Sequence, residues 1–147
     1  MIERWQFYIE QRLVRQGTPN AAESRALMER AIARLAFVEQ QHITETIAPF
    51  VFEDIYESVR EAGQALMELR GWKPYSHEAV IAFLREFHNL HVADLSSMDR
   101  YRILRNKIVY RAEKVTISTC QAALNFAKHF LPELHKEFDR LASDDKH

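Results

Sequence analysis

Apolar residues recur along most of this chain at intervals of three and four, the spacing that lays them on one side of an α-helix. The clearest run is Phe52, Ile55, Val59, Ala62, Leu66 and Leu69, a packing seam for a helix that stops at Gly71. Gly63 and Ala65 beside that seam predict that a neighbouring backbone comes close. The longest run is Ile117, Cys120, Leu124, Ala127, Leu131, Leu134, Phe138 and Leu141. It predicts a last helix capped by Thr116 or by Ser118, the latter with Gln121 as a capping box. Pro132 lies off the seam and is expected to kink this helix or end its first half. The charged residues 143–147 are expected to fray.

Shorter patterns fill the remainder. Ile2, Trp5, Ile9 and Leu13 predict a first helix over residues 2–15, broken by Gly17-Thr-Pro-Asn20. Thr18 with Pro19 reads as an N-cap and a first-turn proline, opening a second helix with Leu27, Ala31, Leu35, Val38 and His42 at helical spacing. Pro49 limits that helix. Residues 72–75 read as a loop, and Ser76 as the cap of a fourth helix with Glu78 in its first turn. Val80, Phe83, Leu84 and Phe87 are its expected buried face. Residues 91–97 read as a loop, with Ser96 or Ser97 capping the helix that follows.

The resulting fold class is all-α, an up-and-down bundle of four to five core helices with an extra N-terminal helix. Residues 1–17 form that helical extension, and residues 18–143 form the bundle. Trp5 and Tyr8 would cover the bundle or contact another subunit. The scarcity of turn residues, three glycines and four prolines, agrees with few hairpins. At 147 residues one domain with a substantial core is expected. No apolar run approaches the ~18 residues needed to span a bilayer, and the charged start Met1-Ile-Glu-Arg does not read as a signal peptide. A cytoplasmic protein without membrane association is therefore expected.

Charge alters this picture locally. The net charge of −1 argues against a surface that grips long nucleic acid everywhere. Residues 99–114, however, hold six basic side chains against two acidic ones. As a helix, this stretch separates an apolar stripe of Tyr101, Leu104 and Ile108 from a second face. On that face Arg102, Arg105, Asn106 and Tyr110 fall within roughly 140° of arc. Two guanidinium forks, an amide and a phenol suit phosphate, or the edge and sugar of a nucleotide. A solvated basic face on a surface helix is the ordinary alternative.

Other constellations are weaker. His88 and His91 lie three residues apart near Asp94, with His77 or His42 able to join them as metal ligands. Histidines near helix ends more often make caps and surface contacts, so no metal and no other cofactor is expected. His77 follows the cap Ser76 and is assigned a local helix-start role. Cys120, the sole cysteine, excludes an internal disulfide and reads as a small core residue.

Three stretches taken together resemble the HEPN domain (higher eukaryotes and prokaryotes nucleotide-binding), in its branch of small stand-alone prokaryotic and archaeal proteins. They are residues 54–71, Ser76-His-Glu-Ala-Val-Ile-Ala-Phe-Leu84, and Arg105-Asn-Lys-Ile-Val-Tyr110 followed by residues 122–131. The resemblance covers about residues 19–142. It implies a helical bundle, often a homodimer with a polar cleft between subunits, commonly paired with a small nucleotidyltransferase. Many catalytic members are metal-independent ribonucleases, often toxins, with an arginine, a polar residue and then a histidine. Arg105 and Asn106 match the first two places, whereas Tyr110 stands in the third. A phenol near pKa 10 is a poor general base at neutral pH, where a histidine serves readily. The leading expectation is thus nucleotide or RNA binding through Arg102, Arg105, Asn106 and Tyr110, without strong catalysis, as an accessory or toxin–antitoxin component. A ribonuclease toxin using Arg105, Asn106 and Tyr110 is the alternative, and a pure protein-interaction module is a third.

Overall fold

The structure, a computed structural model, describes residues 2–144. Its axis is α3 (Ala48–Glu68), which packs along α2 (Ala21–Glu39) and α6 (Ile117–Asp144), while α4 (His77–Phe87) and α5 (Val92–Arg111) cover its remaining side. A short α1 (Trp5–Glu10) rests on α4. Among the described residues the chain is thus a bundle of six helices, joined by one small pair of strands, β1 (Val14–Gln16) and β2 (Trp72–Pro74). The all-α class follows directly from the two long seams.

The seam of α3 is buried along its whole length, from Phe52, Ala62 and Leu66 at 0% exposed to Leu69 at 6%. A Cβ on Gly63 would lie 2.7 Å from Val80 Cγ1, so the close approach expected there is made by side chains of α4. On α6 the seam is buried from Cys120 to Leu141, but Ile117, in its first turn, lies beyond the core and is exposed. Thr116 caps this helix, its Oγ1 accepting from the Thr119 N–H at 3.0 Å. Pro132 does not end α6, which runs through it. The one hydrogen bond a proline cannot donate would reach back to Lys128, and both residues sit on the exposed side of the helix. Ser143 and Asp144 stay helical; the remainder of the expected fraying tail, residues 145–147, lies outside the described residues.

The N-terminal region departs from the helical expectation. Its helix covers only residues 5–10, after which Arg12 takes the left-handed conformation at φ 58° and turns the chain. β1 then pairs antiparallel with β2, Val14 opposite Pro74 and Gln16 opposite Trp72, where a helix end and a loop were expected. Strand pairing satisfies backbone groups that a loop would leave to water. At the end of this pair the Gly17 N–H donates to the Gly71 carbonyl at 2.7 Å. Gly71 has φ +82°, and a Cβ there would collide with the Gly17 carbonyl, so this position needs glycine.

Three helix starts and ends also move. Asn20, not Thr18, caps α2, its Oδ1 accepting from the Glu23 N–H at 3.0 Å, and Pro19 lies ahead of the helix. That helix ends at Glu39, so His42 falls outside it. α5 begins at Val92, so the expected loop is helical and neither Ser96 nor Ser97 is a cap. His91 offers no side-chain cap there; burial of Leu95 and Met98 against the core drives the extra turns instead. Phe87 is exposed rather than buried, its ring edge-on to Trp5 at 5.8 Å.

Leu66→Ala and Leu131→Ala are each expected to lower unfolding free energy by about 2–5 kcal/mol in urea titrations. A loss under ~0.5 kcal/mol at both positions would show that the core lies elsewhere.

Candidate anion-binding site

A polar cluster forms where α3, the start of α4 and the middle of α5 meet. On α3, Tyr56, Glu57 and Arg60 occupy adjacent turns off the apolar seam. The Arg60 guanidinium donates from Nε to Glu57 Oε2 at 3.0 Å and from Nη1 to Gln64 Oε1 at 2.6 Å, and its Nη2 also binds Glu57. Tyr56 is buried, with its hydroxyl 3.3 Å from His77 Nδ1. The two rings are nearly parallel, 28° apart with centroids at 5.8 Å.

His77 owes its place to the cap of α4, where Ser76 Oγ accepts from the Glu78 N–H at 3.1 Å. Beside it, α5 brings in Arg102, which is buried. Arg102 donates from Nε to Asp99 Oδ1 at 2.8 Å and holds Glu78 at 3.6 Å through Nη1. One turn on, Arg105 is half-buried with Nη1 3.4 Å from Asn106 Oδ1. Among the described residues it makes no ion pair with a carboxylate.

The electrostatics follow from this crowding. Burial pushes the His77 pKa down to about 4, and the positive charges of Arg60, Arg105 and Arg102 push the same way while Glu57 opposes them. His77 is therefore a neutral imidazole at pH 7. Burial raises the Tyr56 phenol well above its usual range, against the pull of Arg60, Arg102 and Arg105, so it stays protonated. Burial works against the charge of Glu57 too, but the hydrogen-bonded Arg60 outweighs it and holds the carboxyl below its ordinary range.

The four residues singled out on the basic helix are divided by this packing. Arg102 and Arg105 join the cluster, and Asn106 is half-buried next to Arg105. Tyr110 is 76% exposed. The border between core and solvent falls inside the 140° arc that helical spacing allots to all four. Tyr56, Arg60 and His77 are the members that sequence reasoning missed. The i, i+4 spacing of Tyr56 and Arg60 off the seam was a signal for the first two. His77 had none beyond its place after a cap.

Of the other histidines, His88 and His129 have local partners. His88 Nδ1 lies 2.8 Å from Glu137 Oε1, and His129 Nε2 lies 3.6 Å from Asp94. His42 and His91 are exposed. Among the described residues no three histidine, cysteine, aspartate or glutamate side chains gather so as to hold a metal ion. Cys120 is buried, its Sγ 3.7 Å from the Ala48 carbonyl, and burial raises its thiol to about 11. No helix among the described residues is long and apolar enough to cross a membrane. No known family model, curated protein or solved structure matches the chain.

His77 makes stability depend on pH. Unfolded, its pKa returns to about 6.5; folded, it is about 4. The unfolded chain then binds the proton first, so this contribution is complete above pH 6.5 and is lost as pH falls toward 4. Urea midpoints between pH 7.5 and pH 5 should fall further for the wild type than for His77→Gln. Parallel losses in the two proteins would mean that His77 does not titrate as placed.

Proposed function

We propose that this chain is a HEPN-like protein that binds a nucleotide or a segment of RNA. In this reading it acts in the cytoplasm as a homodimer and works beside a nucleotidyltransferase, as an accessory or toxin–antitoxin component rather than a strong catalyst. The observation that carries the reading is the gathering of Arg60, Arg102 and Arg105 around the neutral His77. Guanidinium groups beside a polar ring are suited to phosphate, which they meet with paired, charge-assisted hydrogen bonds. The helical bundle is the fold that the resemblance implies. The nucleotidyltransferase partner rests on the resemblance alone.

A second copy of the chain has a surface to meet. Val92, Ile103 and Tyr110 are 78%, 42% and 76% exposed. At about 100° per residue they lie within about 20° of one another on α5. Exposed apolar side chains on one face, here spaced by Ser96, Asp99 and Asn106, offer a second copy apolar contact. Sedimentation of the wild type is expected to give a dimer, and Ile103→Glu a folded monomer. A monomeric wild type at micromolar concentration would remove the homodimer from the reading.

A metal-independent ribonuclease is the second reading, favoured by one observation. Glu78, next to His77, pairs with Arg102 at 3.6 Å, one turn before Arg105, so a histidine missing from the stretch after Arg105 is brought to the same region by another helix. RNA cleavage by clean protein in a chelator, lost in Arg105→Ala, would establish the enzyme.

Binding is tested by titrating labelled single-stranded RNA and ATP at two salt concentrations. Arg105→Ala should flatten the salt dependence for RNA by about 0.7, the value for one phosphate contact on a single strand. Arg102→Ala should instead lower stability, because Arg102 is tied to Asp99 and Glu78. If neither ligand binds below roughly millimolar at low salt, the basic helix belongs to a protein partner.

A further inference from the structure

The far end of α4 carries a second histidine, away from the arginine cluster. His77 begins this helix and His88 follows its last residue, so about 16 Å of helix axis separates the two. The His88 side chain is only 3% exposed, and its Nδ1 lies 2.8 Å from Glu137 Oε1 on α6. Arg140 and His88 hold the Glu137 carboxyl below its ordinary range, and an ionised carboxylate can only accept. Nδ1 therefore carries a proton and donates it. In the neutral imidazole Nε2 then keeps a lone pair. Among the described residues Nε2 has no hydrogen-bond partner, yet no wholly buried side-chain nitrogen or oxygen there lacks one. Nε2 thus keeps access to solvent, and the surface that His88 lines is a cleft of about 370 Å³.

The other walls of this cleft are mainly rings. Trp72 of β2 stands on one side, braced edge-on by Trp5 at 5.1 Å. Phe83 and Phe87 of α4, 4.8 Å apart and tilted by 45°, form another. Phe87 leaves 52% of its surface open here. Gln16 of β1 adds an amide, and Arg70, which also borders the cleft, is already engaged. We propose that this cleft binds a small planar aromatic molecule carrying an N–H or O–H donor, its ring packed against Trp72, Phe83 and Phe87 and its donor bonded to His88 Nε2. The volume falls within the range of small-molecule sites, roughly 300–1,000 Å³. Aromatic walls accept a further ring edge-on or offset, with attraction beyond the area buried. The acceptor then selects within the class, because a ligand of the same shape without a donor would cover Nε2 and leave it unpaired. Glu137 is the positioning residue, fixing the proton on Nδ1. The cleft stands apart from the arginine cluster, and the inference does not depend on the nucleotide reading.

The test titrates the whole protein at pH 8 with indole and with benzofuran, which has the same shape but an oxygen in place of the N–H. Calorimetry should show indole binding below roughly millimolar and benzofuran about fivefold more weakly, the scale of one neutral hydrogen bond. His88→Phe keeps a ring and removes the acceptor, so it should abolish the difference between the two ligands. Phe87→Ala, at an exposed position, should weaken both alike and needs no rearrangement of the core. Circular dichroism checks that each variant is folded. In nuclear magnetic resonance spectra the shifts caused by indole should centre on Trp72 and His88 and leave Tyr56 and Arg105 unmoved. Nitrogen-15 imidazole spectra of the free protein should place the His88 proton on Nδ1, and Glu137→Ala should release it to a mixture of tautomers. Equal affinity for the two ligands, shifts centred elsewhere, or a His88 proton fixed on Nε2 would overturn the proposal. So would failure of indole to bind below roughly millimolar, with the nucleotide reading left as it stands.

Discussion

Glu61 sets the terms on which this bundle packs. It is wholly buried in the middle of α3 and carries a carboxylate into the core. A lone ionised carboxylate there would cost several kcal/mol in lost hydration. Arg30 and Arg34, one turn apart on α2, both bind it, Arg34 at 2.7 Å, and Arg34 also reaches Asp54 at 2.9 Å. Such a pairing does little to raise stability against an apolar alternative. Its effect is on register, since sliding α2 along α3 by one turn would leave the carboxylate with only one arginine. Arg30 keeps its side chain 63% exposed, so the network stays in touch with water.

With α2 held in this way, α6 occupies another side of α3, and the remaining side is left to α4 and α5. The polar groups of α3 obey one rule throughout. Ser58 donates to the Ile55 carbonyl at 2.7 Å, and Gln64 donates to Glu68 at 3.1 Å. No buried side-chain nitrogen or oxygen among the described residues lacks a partner. The polar cluster is the same rule applied where the helix meets α4 and α5. Arg60 is satisfied within its own helix, which leaves the Tyr56 hydroxyl to be met by His77. Arg102 is drawn inward by Asp99 and Glu78, and Arg105 follows one turn later with its charge less fully matched.

The strand pair and the first helix close one end of the bundle. Trp5 sits edge-on to Trp72, Phe83 and Phe87, with centroids 5.1, 5.3 and 5.8 Å away. Aromatic edges of this kind add to the area they bury. Arg85 donates to the Glu3 carbonyl at 2.6 Å and ties the start of the chain to α4.

Helical class and the long seams of α3 and α6 were legible in the sequence, because a period of three and four over many turns has one structural solution. The stop at Gly71 and the cap at Ser76 were equally local. The start of α5 was not, since Ser96 and Ser97 resemble caps until the burial of Leu95 and Met98 is known. β1 and β2 are separated by more than fifty residues, and no local pattern announces a pairing that depends on where α3 ends. The site divides in the same way. Arg102, Arg105 and Asn106 could be found as donors on one helix. Which of them turn inward, and that Tyr110 does not, depended on which side of α5 meets the core. Tyr56, Arg60 and His77 belong to the site only through tertiary packing, and so does the neutral charge of His77. A histidine's pKa is set by burial and by charges on neighbouring helices, and only the folded chain brings these together.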